Sequence, residues 1–351
     1  MIWFLVMACA IWGIGHVVKA RTTARWLMVG LLYIVVLLAQ LVLPQNSALR
    51  QAFGGSVGEW LVLGGLAVLI WGYRRVLSGL KKRALAIKPP ETPGTFSPTE
   101  LERYARHIVL REIGGPGQKR LKQARILVVG AGGLGSPALL YLAAAGVGTI
   151  GVIDDDAVDN SNLQRQVIHL DADIGMPKVF SAEKAMRAQN PYVTVHPYNR
   201  RLIGDDAREL ISTYDLVLDG TDNFDTRYLV NRICAELKIP LIAAALSQWE
   251  GQISTYDPAR GTPCYQCIFD KAPAPGLAPS CAEAGVLGPL PGVIGAMMAV
   301  EAVKEIAKTG EGLHGRMMIY DALYGDTRVI RLKRRDGCDV CGSGRTTPGH
   351  N

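Results

Sequence analysis

Between Gly130 and Asn223 the chain gathers side chains suited to handling phosphate. Gly130-x-Gly132-x-x-Gly135 follows the apolar run Arg125 to Val129 and leads into an alanine- and leucine-rich stretch, Ser136 to Ala145. Glycines let backbone N–H groups approach an anion, and a helix beginning there adds positive potential. Asp154, 19 residues past Gly135, ends the next apolar run, Thr149 to Ile153, where a carboxylate can accept hydrogen bonds from ribose hydroxyls. To this point NAD, FAD and ATP fit equally. Asn162 and Arg165 in SNLQRQ and Lys178 in GMPK then add an amide and two cations within 25 residues of Asp154. Taken singly, each cation reads as a solvated surface residue. Together they suit the breaking of a phosphoanhydride, in which charge gathers on phosphate oxygens and is met by Arg, Lys and a metal ion; hydride transfer needs no such set. LVLDGTDN, Leu216 to Asn223, is a further apolar run ending in Asp222 and Asn223. A carboxylate at a strand's C-terminal end suits magnesium, its alternative duty being to cap the following helix.

These groups need a frame. A strand, a glycine turn, a helix and a second strand ending in acid form the first unit of a doubly wound, Rossmann-like, mostly parallel α/β sheet, whose ligand site lies at the C-terminal strand ends. Ser97-Pro98-Thr99-Glu100 predicts the start of a helix, with Ser97 as cap, Pro98 in the first turn and Glu100 three residues on. Gly251 to Tyr256 reads as a strand, and Gly292 to Ile306 as a helix returning to the sheet. Cys264-x-x-Cys267 and Cys338-x-x-Cys341, about 70 residues apart, supply the four thiolates of a tetrahedral zinc site. One such pair could be a redox centre, whereas two in a reducing compartment favour metal. Zinc would staple the C-terminal part to the domain body. Cys9 and Cys234 read as buried apolar residues.

RYARHIVLREIGGPGQKRL, GAGGLGSPALLYLAAAGVG, DNSNLQRQVIH, DIGMPK, DGTDN, PCYQC, SCAEAGVLGPLPGVIG and CDVCG, in that order, resemble the MoeB/ThiF/HesA family over about residues 100 to 342. These proteins are relatives of the ubiquitin-activating enzymes, and the resemblance points to their molybdopterin-synthase adenylyltransferase branch. It implies an ATP-dependent nucleotidyltransferase of molybdenum cofactor biosynthesis. The C-terminal Gly-Gly carboxylate of a ubiquitin-like sulfur-carrier protein, the molybdopterin synthase small subunit, would attack the α-phosphate of ATP, giving an acyl-adenylate and pyrophosphate. A thiamine-type carrier is the alternative substrate. By position, the resemblance implies that Gly133 lies against the phosphates, that Asp154 holds the ribose, and that Ser161, Asn162, Arg165 and Lys178 contact the nucleotide. It implies that Asp222 binds Mg2+ with Asn223 beside it, and that Arg106 reaches into the neighbouring subunit's site of a homodimer. Arg106, Arg165, Lys178 and Asp222 are thus the expected catalytic residues. The four cysteines are expected to hold Zn2+, and Cys281 matches a cysteine that in some relatives bonds to the carrier tail. A carboxylate nucleophile with a pKa of about 3.5 is already ionised at neutral pH, so no general base is required. The six histidines accordingly read as structural or surface residues. No rhodanese-like segment follows, so a separate sulfur donor is expected. Two other readings stand beside this one: a membrane-anchored NAD-dependent oxidoreductase and a catalytically silent scaffold that recruits a carrier.

The formal charge of +7 raises nucleic acid as a partner and its distribution removes it. Of 38 Lys/Arg and 31 acids, residues 1 to 98 carry ten and two, leaving 28 against 29 for the rest. The basic N-terminal part, residues 1–75, has apolar runs at 2–18, 26–43 and 52–73, which predict three transmembrane helices. The first run has a signal peptide as its alternative, and the third, interrupted by Glu59, a surface amphipathic helix. Lys19, Arg21 and Arg25 follow the first run, Arg50 alone follows the second, and Arg74, Arg75, Lys81, Lys82 and Arg83 follow the third. Positive charge favours the cytoplasmic side, which places the N-terminus outside an inner (plasma) membrane and the catalytic domain in the cytoplasm. Residues 76–98 read as a basic, proline-containing linker, 99–342 as the adenylating domain and 343–351 as a disordered tail.

Overall fold

The computed structural model describes residues 2–18, 22–44, 46–86, 96–274 and 281–342, and the chain divides into two compact units, Met1–Glu91 and Thr92–Asn351. The first unit is helical: α1 (Ile2–Val17), α2 (Thr22–Val42), α3 (Ala48–Phe53) and α4 (Val57–Ala86). Among the described residues two stretches are long and apolar enough to cross a membrane, Ala24–Val42 at a mean hydropathy of 2.1 and Val57–Leu77 at 1.4. The three expected spans are therefore corrected to two. At 1.5 Å per residue the 16-residue α1 rises roughly 24 Å, short of the roughly 30 Å of hydrocarbon.

The third apolar run is also broken where continuity was expected. Ala52 and Phe53 close α3, Gly54 and Gly55 turn the chain at φ 61° and 83°, and α4 starts at Val57. Glu59 does not interrupt a span; it belongs to the cap of α4. Ser56 Oγ accepts its N–H at 3.3 Å and its own carboxylate accepts the Ser56 N–H at 3.4 Å. From there α4 continues for 30 residues, so the start of the expected linker is helical. Residues 87–95 of that linker, and the expected tail 343–351, lie outside the described residues. Cys9 is exposed and not buried as expected, because a helix in so small a bundle keeps an outward face.

In the second unit Ser97 and Glu100 form the expected capping box on α5 (Pro98–Ile108). Then follow α6 (Gly114–Gln123), β1 (Arg125–Val129), α7 (Gly135–Ala145), β2 (Thr149–Ile153), α8 (Lys178–Gln189), β3 (Thr194–Tyr198), α9 (Gly204–Ser212) and β4 (Leu216–Asp219). The chain continues through α10 (Phe224–Leu237), β5 (Leu241–Leu246), β6 (Glu250–Tyr256), α11 (Tyr265–Ile268), α12 (Cys281–Ala284), α13 (Pro289–Ala307), β7 (Arg316–Asp321) and β8 (Asp326–Arg331). The strands make one sheet in the order β3-β2-β1-β4-β5-β6-β7-β8. The first five are parallel, and β6, β7 and β8 are added antiparallel.

Period-two alternation along β1 builds the two layers. Ile126 and Val128 pack with residues of α7, α8 and α13, while Leu127 and Val129 pack with those of α9 and α10. Because both faces are covered, the inner strands read as unbroken apolar runs and carry no polar alternation. The order reverses between β2 and β4 on either side of β1, which opens a crevice at the carboxyl ends of these strands.

Candidate functional site

The crevice starts where β1 ends. Gly130 has φ 94°, a conformation that favours glycine, and its N–H pairs with Ile153 O at 2.9 Å. A Cβ on Gly135 would lie 1.9 Å from the Gly130 carbonyl oxygen, so only glycine closes this turn. No side chain caps the start of α7; the Ser136 N–H is taken by the Gly132 carbonyl at 2.9 Å and Pro137 has none, so in this first turn the Gly135 N–H is what remains for an anion. The buried Ser136 hydroxyl and Gln166 Oε1 have no hydrogen-bond partner. Buried polar atoms without partners are rare, and here they flank the loop that a ligand would occupy.

Neighbouring segments converge on this loop. A Cβ on Gly133 would meet Pro291 of α13 at 3.0 Å and Arg165 at 3.8 Å, and one on Gly130 would meet Gly220 and Thr221 at 3.4 Å. Asp154 accepts the Ala131 N–H at 2.7 Å and, through its other oxygen, the Asp156 N–H at 2.9 Å. Burial raises its pKa against these two bonds. Lys178, the first residue of α8, is 4% exposed and pairs with Asp156 Oδ2 at 2.7 Å. A buried ammonium needs such a partner. Arg165 donates to Asn162 Oδ1 at 2.7 Å and to the Ser161 carbonyl at 3.2 Å, so the arginine and the SNL turn hold one another.

At the end of β4 the expected pair divides its roles. Asn223 caps α10 by accepting the Thr226 N–H at 3.0 Å. Asp222 is exposed, and among the described residues no hydrogen bond or ion pair engages its carboxylate. The loop is shaped by residues that sequence reasoning missed. Asp219, 1% exposed, accepts the Thr221 N–H and hydroxyl at 2.9 and 2.7 Å, and lies 3.8 Å from the buried Arg227 guanidinium. Arg227 also donates to the carbonyls of Thr221 and Ala244. Asp156 and His169 were missed likewise; only the run of three aspartates hinted at the former. Arg106 is exposed on α5, and no contact with the loop is recorded for it within this chain.

The four cysteines come together. Sγ–Sγ distances are 3.9 Å for Cys264–Cys267, 3.6 Å for Cys264–Cys338 and 3.4 Å for Cys267–Cys341, and all four sulfurs lie within 4.8 Å of one another. Zn–S bonds of roughly 2.3 Å in a tetrahedron place sulfurs about 3.8 Å apart, so the residues fit zinc. Burial pushes the Cys338 thiol up, but the N–H groups of Cys341 and Val340 outweigh it and hold the group at about 7. Arg335 N–H points at Cys267 Sγ at 3.5 Å. Cys234 is buried in α10 as expected, whereas the side chain of Cys281 lies outside the described set.

The ThiF family pattern matches residues 104–340. The chain belongs to the ThiF family. It is 48% identical over 246 residues to the SAMP-activating enzyme E1 of Haloferax volcanii, covering 70% of this chain and 90% of that one. It is 47% identical over 247 residues to the sulfur carrier protein adenylyltransferase of Thermus thermophilus, covering 69% and 91%. To the probable adenylyltransferase/sulfurtransferase MoeZ of Mycobacterium tuberculosis it is 47% identical, spanning 64% of that protein. Among solved structures, E. coli MccB with ATP superposes at a TM-score of 0.57 with 24% identity, covering 65% of this chain and 69% of that one. The ThiF family match begins at Tyr104, after the helical unit, so α1 to α4 lie outside the matched region.

Proposed function

We propose that this ThiF family member is an ATP-dependent adenylyltransferase that activates the C-terminal carboxylate of a ubiquitin-like sulfur-carrier protein. The observation that carries the reading is the continuous set Ala131, Asp154, Asp156 and Lys178, which joins a glycine loop to a ribose acceptor and a buried cation. The names of its relatives, a sulfur carrier protein adenylyltransferase among them, agree with it.

The carrier's carboxylate oxygen forms a bond to the α-phosphorus while the bond from that phosphorus to the β-bridging oxygen breaks, and pyrophosphate leaves with the electron pair. The N–H groups of the glycine loop and α7 start bind the phosphates. Lys178 and Arg165 offset the charge that moves toward the leaving pyrophosphate. Asp222, exposed and unengaged, would hold magnesium, which supplies further charge neutralisation when bound. Arg106 would complete the site of the second copy in a homodimer. The finer substrate we propose is the molybdopterin synthase small subunit.

The test is ATP–pyrophosphate exchange by the full-length chain with purified Gly-Gly carriers. Exchange with the molybdopterin-type carrier and not the thiamine-type supports the finer reading, and the reverse result replaces it. If no carrier stimulates exchange, the adenylation reading fails. We further propose that α2 and α4 anchor the chain in the plasma membrane with the ThiF domain on the cytoplasmic side, where Arg74 and Arg75 place the end of the second span.

A further inference from the structure

Ala131 is gripped from both sides. Its N–H goes to Asp154 at 2.7 Å, and its carbonyl faces His169 Nε2 at 2.9 Å. These are the two peptide groups between Gly130 and Gly132, so their orientation sets where the loop's N–H groups point. A carbonyl only accepts, which assigns the hydrogen to Nε2. His169 is 5% exposed, and its Nδ1 lies 2.9 Å from Ser181 Oγ. With Nε2 carrying the ring hydrogen, Nδ1 accepts, so the single Ser181 hydroxyl hydrogen is shared between His169 Nδ1 and Asp173 Oδ2, each 2.9 Å from Oγ, and Lys184 closes on Asp173 Oδ1 at 2.6 Å. Ser181 and Lys184 sit on α8, the helix whose first residue is Lys178.

We propose that His169 is a positioning residue: with Ser181 it braces α8 against the glycine loop and so fixes Lys178 at the separation from the loop that the nucleotide phosphates require. The inference deepens the adenylation reading and rests on it. An imidazole suits the task because its two nitrogens point in opposed directions from a rigid ring, so a displacement of the helix is transmitted to the loop. A flexible carboxamide such as glutamine can reach one partner but does not act as a strut. His169 touches no reacting atom in this arrangement and acts through Ala131 and Lys178.

The experiment uses the full-length chain in detergent, with carrier-dependent ATP–pyrophosphate exchange and direct binding of a fluorescent ATP analogue. Ser181→Ala removes one hydroxyl and alters neither the loop nor Lys178. KM for ATP should rise about three- to tenfold, the weight of one neutral hydrogen bond, with the zinc content unchanged. His169→Gln should do the same. In a Lys178→Gln background, Ser181→Ala should add no further increase, because the lysine through which it acts is gone. An equal factor in both backgrounds, or an unchanged KM in both single variants, overturns the brace while leaving adenylation standing. Failure of the wild type to bind the analogue or to exchange removes the adenylation reading and the brace together.

Discussion

Asp154 shows how a candidate ligand site is set against stability. Its carboxylate is raised in pKa because burial outweighs the N–H bonds from Ala131 and Asp156. A raised carboxyl pKa means that the folded state holds the proton more tightly than the unfolded chain. Between the unfolded value of about 3.9 and the folded value, stability therefore falls as pH rises, and at neutral pH the ionised group is a net burden. Asp154→Asn keeps an acceptor for Ala131 and removes the charge. It should leave the melting temperature at pH 7 equal or higher while raising KM for ATP at least about tenfold, as loss of a charged hydrogen bond does; calorimetry and exchange kinetics check the two halves. Gly133 makes the opposite case. Even a methyl there meets Pro291 at 3.0 Å, so Gly133→Val should abolish exchange, while zinc analysis should find the same metal content as in the wild type. Asp154, Arg165 and Lys178 stood out in the sequence by residue type and spacing, and the fold sets Asp154 and Arg165 against the glycine loop and Lys178 beside Asp156. His169, Asp219 and Arg227 did not stand out, because each works through a contact 8 to 38 residues away on another segment.

At the scale of elements, β1, β2 and the capping box of α5 matched the sequence reading to the residue, since apolar strands and Ser/Glu caps are local signals. The start of α4 was missed because Glu59 satisfies a helix end, a role that hydropathy counting scores only as a charge. The two C-x-x-C pairs follow the legible pattern, with Ala235 of α10, Ile268 of α11 and Val340 packed about the four sulfurs. Cys341→Ser should release zinc, measured with a chromophoric chelator. It should also lower the melting temperature by roughly 5–10 °C, for a loss of about 3 kcal/mol in a domain of this size. Arg227 ties β4, β5 and α10 through Asp219, Thr221 and Ala244. Arg227→Met leaves the Asp219 charge buried and uncompensated, and denaturant unfolding should show a loss of about 3–5 kcal/mol.

At the scale of the whole molecule, the second unit contains the sheet, both apolar layers and the cysteine cluster, so it holds what a self-sufficient domain needs. A truncate beginning at Phe96 should fold, bind zinc and catalyse exchange; if it is soluble yet inactive, the helical unit takes part in chemistry and is more than an anchor. The number of spans sets the sidedness of the N-terminus. Three spans place it outside, and α2 and α4 alone place it with the catalytic domain. A cysteine at the start of α1, Ile2→Cys in a Cys9→Ser background, is a reporter for this. With two spans, a membrane-impermeant maleimide applied to intact cells should leave that cysteine unlabelled, and labelling would restore the third.

The spacing of the cysteines bears on the order of events during synthesis. The end of α4 leaves the ribosome about 250 residues before Cys338, so the anchor proposed above would be in place before the second C-x-x-C pair exists. Cys264 and Cys267 then wait, buried-to-be and unpaired, until Cys338 and Cys341 arrive to close the cluster. With that anchor, metal loading would be a late step beside the bilayer. A cell short of zinc would accumulate chains that are inserted but open, displayed at the membrane to its proteases.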